Sequence, residues 1–145
     1  MLSFFVESLM KEAKKFLTVK TEDLEWEDGT KVIGLPPGVE VKIVAEGVDD
    51  VSERVDKFVR FPAGYTEPLH THDHLHSTLV IEGEMHVHNK ILKPGDFVFG
   101  GPGEQHGPYH YPVGCTVFSC SRAEKMNQIH RNPEAEHGSD LTKGH

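Results

Sequence analysis

His70-Thr71-His72-Asp73-His74-Leu75-His76 places four of the chain's eleven histidines at alternate positions within seven residues. A neutral imidazole offers one nitrogen lone pair, which makes histidine the commonest protein ligand for divalent transition metals. On a β-strand, rings at i and i+2 face one side about 6.6 Å apart along the chain, close enough to share an ion. That supports His70 and His72 as a pair. An unbroken strand from His70 to His76 would span about 20 Å, too far for one ion with bonds near ~2.1 Å. The chain must bend between them. Asp73 is a good turn residue, so a hairpin turn over residues 73–75 is expected. Such a turn returns His76 beside the pair and carries His74 outward to its tip.

Outward from this run, the sequence reads as short strands between turn signals. Before it, strands are expected over 41–45 and 55–61, with breakers at Pro36-Pro37-Gly38 and Pro62-Ala63-Gly64. After it, strands are expected over 78–81, 85–88, 91–92, 97–99 and 115–120. Gly83, Lys93-Pro94-Gly95-Asp96 and Gly100-Gly101-Pro102-Gly103 separate them. Trp26 and Asp28-Gly29 suggest a further short strand entering a hairpin, and everything from residue 31 onward reads as strand and turn. Short strands at regular spacing predict an all-β domain, an antiparallel sandwich or small barrel. No internal repeat is present.

The two ends differ from this middle. Residues 3–17 carry Phe5, Leu9, Ala13, Phe16 and Leu17 at spacings of three and four, with Ser3 as a candidate N-cap. This predicts a short amphipathic helix laid on the core or on a neighbouring subunit. The organisation expected is an N-terminal helix over 1–17, one domain over 18–121, and a polar tail over 122–145. In that tail, residues 123–129 could form a short helix, and the remainder is too polar to supply a core.

Composition narrows the function. The 145 residues suffice for one domain with a real core. Fifteen Lys and Arg against 23 Asp and Glu give a net charge of −8, a surface that repels phosphate backbones and argues against a nucleic-acid partner. That acidity also disfavours the N-terminal helix as a membrane-surface element. No apolar run reaches membrane-spanning length, and the N-terminus lacks a basic segment ahead of a clean apolar core. Cys115 and Cys120 are two isolated cysteines, so a reducing, cytoplasmic setting is expected. No phosphate-cradling glycine loop, nucleophile elbow or plausible cysteine nucleophile is present.

A further ligand must come from later in the chain, and His106, just after Pro102-Gly103, is the best candidate. The spacing Gly64-x5-His70-x-His72-x3-His76-x6-Gly83 resembles the first motif of the cupins, and Gly95-x5-Gly101-Pro102-Gly103-x-x-His106 resembles the second. The resemblance covers roughly residues 55–120. It implies a cupin-type antiparallel β-barrel, a jelly roll or double-stranded β-helix, with His70, His72, His76 and His106 as ligands of one ion. Two departures stand out. The usual glutamate ligand is replaced by His76. The usual proline position holds Gly101, and the terminal asparagine position holds His110. The histidine set is similar to that of four-histidine, manganese-type cupins. The segment is more broadly similar to small cupin dioxygenases that cleave acetylacetone or dihydroxyacetophenones. His74 is expected to be a surface turn residue, His110 a supporting rather than ligating one, and His86 and His88 strand residues of the barrel mouth or exterior.

Four neutral imidazoles leave the ion's charge uncompensated, which favours an anionic chelate such as an enolate or a carboxylate. Nitrogen donors point to Fe or Mn first, with Zn, Ni or Cu also compatible, rather than Mg or Ca. Val59, Phe61, Val80, Phe97, Phe99, Tyr109 and Phe118 are the expected apolar surroundings. Thr78, Val80 and Glu82 share the parity of His76 and should face inward. Glu104 is a weak candidate for a general base. The resemblance implies a metal-dependent dioxygenase acting on a small dicarbonyl or hydroxyketone, and a homodimer. A non-catalytic metal- or ligand-binding cupin and a metal-dependent isomerase are the alternatives.

Overall fold

A computed structural model describes residues 16–47 and 52–124. The ten strands are β1 (Glu27–Asp28), β2 (Glu40–Glu46), β3 (Ser52–Phe61), β4 (Tyr65–Glu67), β5 (Leu75–Gly83), β6 (Met85–Val87), β7 (Lys90–Leu92), β8 (Phe97–Gly100), β9 (Tyr109–Tyr111) and β10 (Cys115–Glu124). A six-stranded sheet has the order β1-β2-β3-β10-β5-β8, and a four-stranded sheet the order β4-β9-β6-β7. Every pairing is antiparallel. From β3 onward the chain passes from sheet to sheet: β4 in the small one, β5 in the large, β6 and β7 in the small, β8 in the large, β9 in the small, β10 in the large. This winding gives the expected all-β jelly roll, as two facing sheets rather than one continuous barrel.

Alternation drives the layering. On β3 and β10 the odd-numbered residues face the other sheet, and Val59 pairs with Val117, which pairs with Val80. These three join Val39, Met85, Tyr109, Tyr111 and Cys115 in the buried core. Phe61 stacks on Tyr111 with centroids 4.1 Å apart and a 6° interplanar angle, and Tyr65 leans on both. Offset ring pairs of this kind add about 1 kcal/mol beyond their buried area.

Several expectations change. The segment after Asp28 is not a hairpin turn but a helix, α1 (Gly29–Ile33), so residues 32–33 are helical rather than extended. Asp28 caps it by accepting from the Thr30 N–H at 3.0 Å, and Gly34 ends it at φ 71°. Residues 73–75 do not form a hairpin either, because β4 and β5 belong to different sheets and the bend is a crossing between them. Strands β4 and β9 were not anticipated. Each has only three residues; Tyr65 and Glu67 take the inward positions of β4, and Tyr109 and Tyr111 those of β9.

Glu82 points outward despite sharing parity with His76. The β5–β10 register shifts there, with Val117 opposite Val80 and Thr116 opposite Glu82. The extra residue, Ile81, forms a bulge that reverses the facing beyond it. Phe97 and Phe99 are 58% and 60% exposed, and Val98 between them is the inward residue. Phe118 also lies on the outer face, edge-on to Phe58 at 5.2 Å.

Residues 1–15 of the expected N-terminal helix lie outside the described residues, and Phe16 and Leu17 are exposed and non-helical. Residues 122–124, assigned above to the tail, continue β10, and the rest of the tail lies outside the described residues. No helix among the described residues is long and apolar enough to cross a membrane.

Gly83 tests the fold. Its φ is +81°, and a Cβ there would meet the Gly114 carbonyl oxygen at 2.1 Å. Gly83→Ala should therefore destabilise by at least about 2 kcal/mol, read as a lowered urea midpoint at unchanged slope.

Candidate metal centre

The two sheets deliver the histidines from opposite sides. His70 follows β4 and His106 precedes β9, and the two residues exchange both backbone hydrogen bonds: His70 N–H to the His106 carbonyl at 3.0 Å, and His106 N–H to the His70 carbonyl at 2.9 Å. Their rings come within 4.2 Å. His72 is fixed by its carbonyl, which accepts from the Gly103 N–H at 2.7 Å. His76 lies on β5 opposite Gly100 of β8. A Cβ at Gly100 would sit 2.9 Å from His76 Nε2, so only glycine leaves that ring its place.

His70, His72 and His106 each offer a ring nitrogen, and these nitrogens all lie within 4.8 Å of one another. His76 stands outside that tight group of three, but its ring is 5.0 Å from His72 and 4.9 Å from His106. Its Nε2 is 3.4 Å from His106 Nε2. That separation is about the ligand–ligand edge of a tetrahedron with bonds of about 2.1 Å. The donor chemistry suits a transition-metal ion.

A neighbouring carbonyl selects which nitrogen the His70 ring presents. His70 Nδ1 is 2.7 Å from the Pro68 carbonyl oxygen, which can only accept, so Nδ1 carries the proton and Nε2 keeps its lone pair. His106 Nδ1 is 2.6 Å from the Tyr109 hydroxyl. Three of the rings are also held neutral. Burial, and then the neighbouring imidazoles, lower His72 from its ordinary value, push His76 down to about 4, and push His106 down to about 3.

The histidines open into a cavity of about 420 Å³ between the sheets. Its apolar part includes Val59, Phe61, Val98 and Val117, with α1 and Leu35 at another wall. Val59 and Phe61 fulfil their expected place, as does Tyr109; Phe97, Phe99 and Phe118 do not.

His74 is not carried away to a tip. It lines the cavity with its ring 5.1 Å from His72, and its Nδ1 is 3.1 Å from Asp73 Oδ1. His110 faces outward on β9 beside His86, with ring centroids 5.9 Å apart. His86 contacts Glu84 at 3.0 Å, and His88 sits at the β6–β7 turn with φ 49°. Glu104 does not line the cavity. Among the described lining residues the carboxylate is that of Glu67, which accepts from the Tyr111 hydroxyl.

Lys57, Ser119 and Ser121 also line the cavity and were missed. The alternation Val55-x-Lys57-x-Val59-x-Phe61 was the available signal, since it places a lysine on the inward face. Burial pushes the Cys115 thiol up to about 11, in keeping with the absence of a cysteine nucleophile.

The depressed histidines set a pH dependence. The unfolded chain takes up protons below about pH 6.5, whereas folded His76 and His106 refuse them until about 4 and about 3. Their contribution to stability is complete above pH 6.5 and is lost as pH falls through the folded values. The metal-free protein should melt at progressively lower temperature from pH 6.5 to 4.5, and the fall should be smaller in His76→Leu. An equal fall in both proteins would contradict the assignment.

The ChrR cupin-like domain family model matches residues 14–124. No curated protein sequence matches the chain. Among solved structures, an RmlC-like cupin from Shewanella frigidimarina superposes with a TM-score of 0.57 at 23% identity, over 81% of this chain and 97% of that one. An acetylacetone dioxygenase from Acinetobacter johnsonii gives 0.54 at 15% identity, over 75% and 74%. The structure of Rhodobacter sphaeroides SigE in complex with the anti-sigma ChrR gives 0.53 at 20%, over 83% and 76%. At these identities the structural likenesses establish the fold alone. The family match, spanning most of the chain, goes further: this protein belongs to the ChrR cupin-like domain family.

Proposed function

We propose that the protein is a metal-dependent cupin oxidoreductase, a dioxygenase that breaks a C–C bond of a small dicarbonyl or hydroxyketone. In this reading His70, His72, His76 and His106 hold one iron or manganese ion. The observation that carries it is the convergence of imidazoles on one side of a largely apolar cavity. The ion, when bound, supplies Lewis-acid polarisation of an enolate and a redox path to dioxygen.

The chain's own residues do the rest. Pro68 and Tyr109 fix the orientation of His70 and His106. Val59, Phe61, Val98 and Val117 exclude water from the reacting carbon chain. With no carboxylate in the ligand set, an anionic chelate is the preferred occupant of the open positions. Glu104, outside the cavity wall, is given no part in the reaction.

A second reading has its own support. The family takes its description from ChrR, and one structural neighbour comes from a complex of SigE with that anti-sigma protein. A non-catalytic cupin that binds a metal or small ligand, within a regulatory assembly, fits that relation.

Protein purified from a metal-replete host should contain about one transition-metal ion per chain. His76→Ala should weaken metal affinity by at least about tenfold. The iron-loaded protein should consume oxygen with at least one member of a β-diketone panel. Stoichiometric ligand binding with no oxygen uptake would favour the non-catalytic reading, and turnover with redox-inert zinc would favour an isomerase.

We also infer a homodimer. Phe97 and Phe99 on the edge strand β8, with Leu79 and Ile81 on β5, leave an apolar patch on the outer face of the large sheet, and Leu79 pairs directly with Phe97. Such patches mark contact surfaces, and a second copy can cover one isologously. Sedimentation velocity should show a dimer for the wild type and a shift towards monomer for the double variant Phe97→Ser with Phe99→Ser.

A further inference from the structure

Lys57 is an unusual occupant of this cavity. Among the described residues that line it, Lys57 alone is a lysine or arginine. Its ammonium donates to Ser121 Oγ at 3.2 Å, which leaves two N–H groups without a hydrogen bond to a described residue. None of the ion pairs among the described residues includes it. Among the described residues that line the cavity the one carboxylate, Glu67, is on β4 of the small sheet and is engaged by Tyr111. Burial lowers Lys57 from its ordinary value, so the site opposes the charge it holds. The charges of Asp56 and Cys120 offset part of that burial, but Asp56 is paired with Arg54, and a half-buried cation in no ion pair of its own is costly; an anion entering the cavity would relieve that cost.

The register shows where that anion would sit. Lys57 lies opposite Ser119 on β10, and Ser119 lies opposite Thr78 on β5. Ser121, the residue that holds the ammonium, lies opposite His76. The lysine therefore reaches along β10 towards the histidine level of the cavity, with Ser119 beside its stem and Thr78 one strand further on. Ammonium and imidazoles line one chamber of about 420 Å³, large enough for a small molecule to touch both.

We propose that Lys57, tethered by Ser121, is the anion-anchoring half of the substrate site. It selects a small ligand that carries a carboxylate in addition to the group bound at the histidines. This rests on the metal-site reading above and gives its substrate class: an oxo acid whose dicarbonyl end meets the histidines and whose carboxylate pairs with Lys57.

Two β-diketones differ almost only in the feature at issue. 4,6-Dioxoheptanoate ends in a carboxylate, and 2,4-heptanedione has a methyl group in its place. Calorimetry on the full-length protein, cobalt-loaded and metal-free, should show the acid binding at least about tenfold tighter than the neutral diketone. Lys57→Met should bring the two within about twofold by weakening the acid alone, and Lys57→Arg should restore part of the preference.

Absence of a preference in the wild type overturns the proposal, whatever the variants do. So does a preference that survives Lys57→Met. Cobalt content, measured separately by elemental analysis, isolates the metal-site reading. Stoichiometric cobalt with no acid preference leaves that reading standing and removes the anion anchor. A Lys57-dependent acid preference in a protein that takes up no cobalt does the reverse.

Discussion

The exchange of two backbone hydrogen bonds between His70 and His106 is the joint on which the site depends. It continues the β4–β9 ladder in register, since Glu67 opposes Tyr109 and the histidine pair lies three residues further along. Between them Pro68 and Pro108 fall opposite each other. Neither has an N–H to give, so the ladder breaks there and resumes at the histidines. The result is a rigid pair of rings held at the end of a short strand pair yet outside it. His76 comes from the large sheet, opposite Gly100, whose missing side chain admits its ring. The cluster therefore spans both layers of the sandwich and forms only when they face each other.

The legible parts of this arrangement were the local ones. Alternating histidines, glycine and proline breakers and short apolar runs are signals carried by a few adjacent residues. They led to the strand pattern, the motif spacings and the grouping of His70, His72 and His106. The lost parts depended on pairing between distant segments. Glu82 turned outward because a bulge at Ile81 altered the register with β10, which β5 alone does not encode. Phe97 and Phe99 pointed out because β8 is an edge strand whose inward residue is Val98. The hairpin expected near Asp73 failed because distance required a bend but did not say into which sheet the chain would continue. His74 stayed by the cavity for the same reason.

The polar groups of the cavity are organised as chains. His106 meets the Tyr109 hydroxyl, and Tyr111, two residues along the same strand, meets Glu67 across the β4–β9 pair. Burial is the first cause raising both phenols above their ordinary range, with the Glu67 charge adding to it, so each remains a neutral hydroxyl. A neutral Tyr109 can accept the His106 Nδ1 proton without adding charge beside the imidazoles. The hydroxyl thus holds the His106 ring in place at no cost in charge.

Register also gives the cavity a direction. On the inner face of the large sheet, one level holds Val55, Ser121 and His76. The next holds Lys57, Ser119 and Thr78, and the next Val59, Val117 and Val80. Polarity therefore falls off along the strands, away from the histidines. A ligand with an apolar end and an oxygen-rich end is oriented by that gradient before any ion contributes. Pairing alone maintains it: a one-residue slip of β3 would turn Lys57 to the outer face and bring Phe58 inward. The neighbours of this fold, at 15–23% identity, share the sandwich, and the sandwich fixes no reaction. In this chain a lysine and two serines stand where the alternation of β3 and β10 would equally accommodate valines.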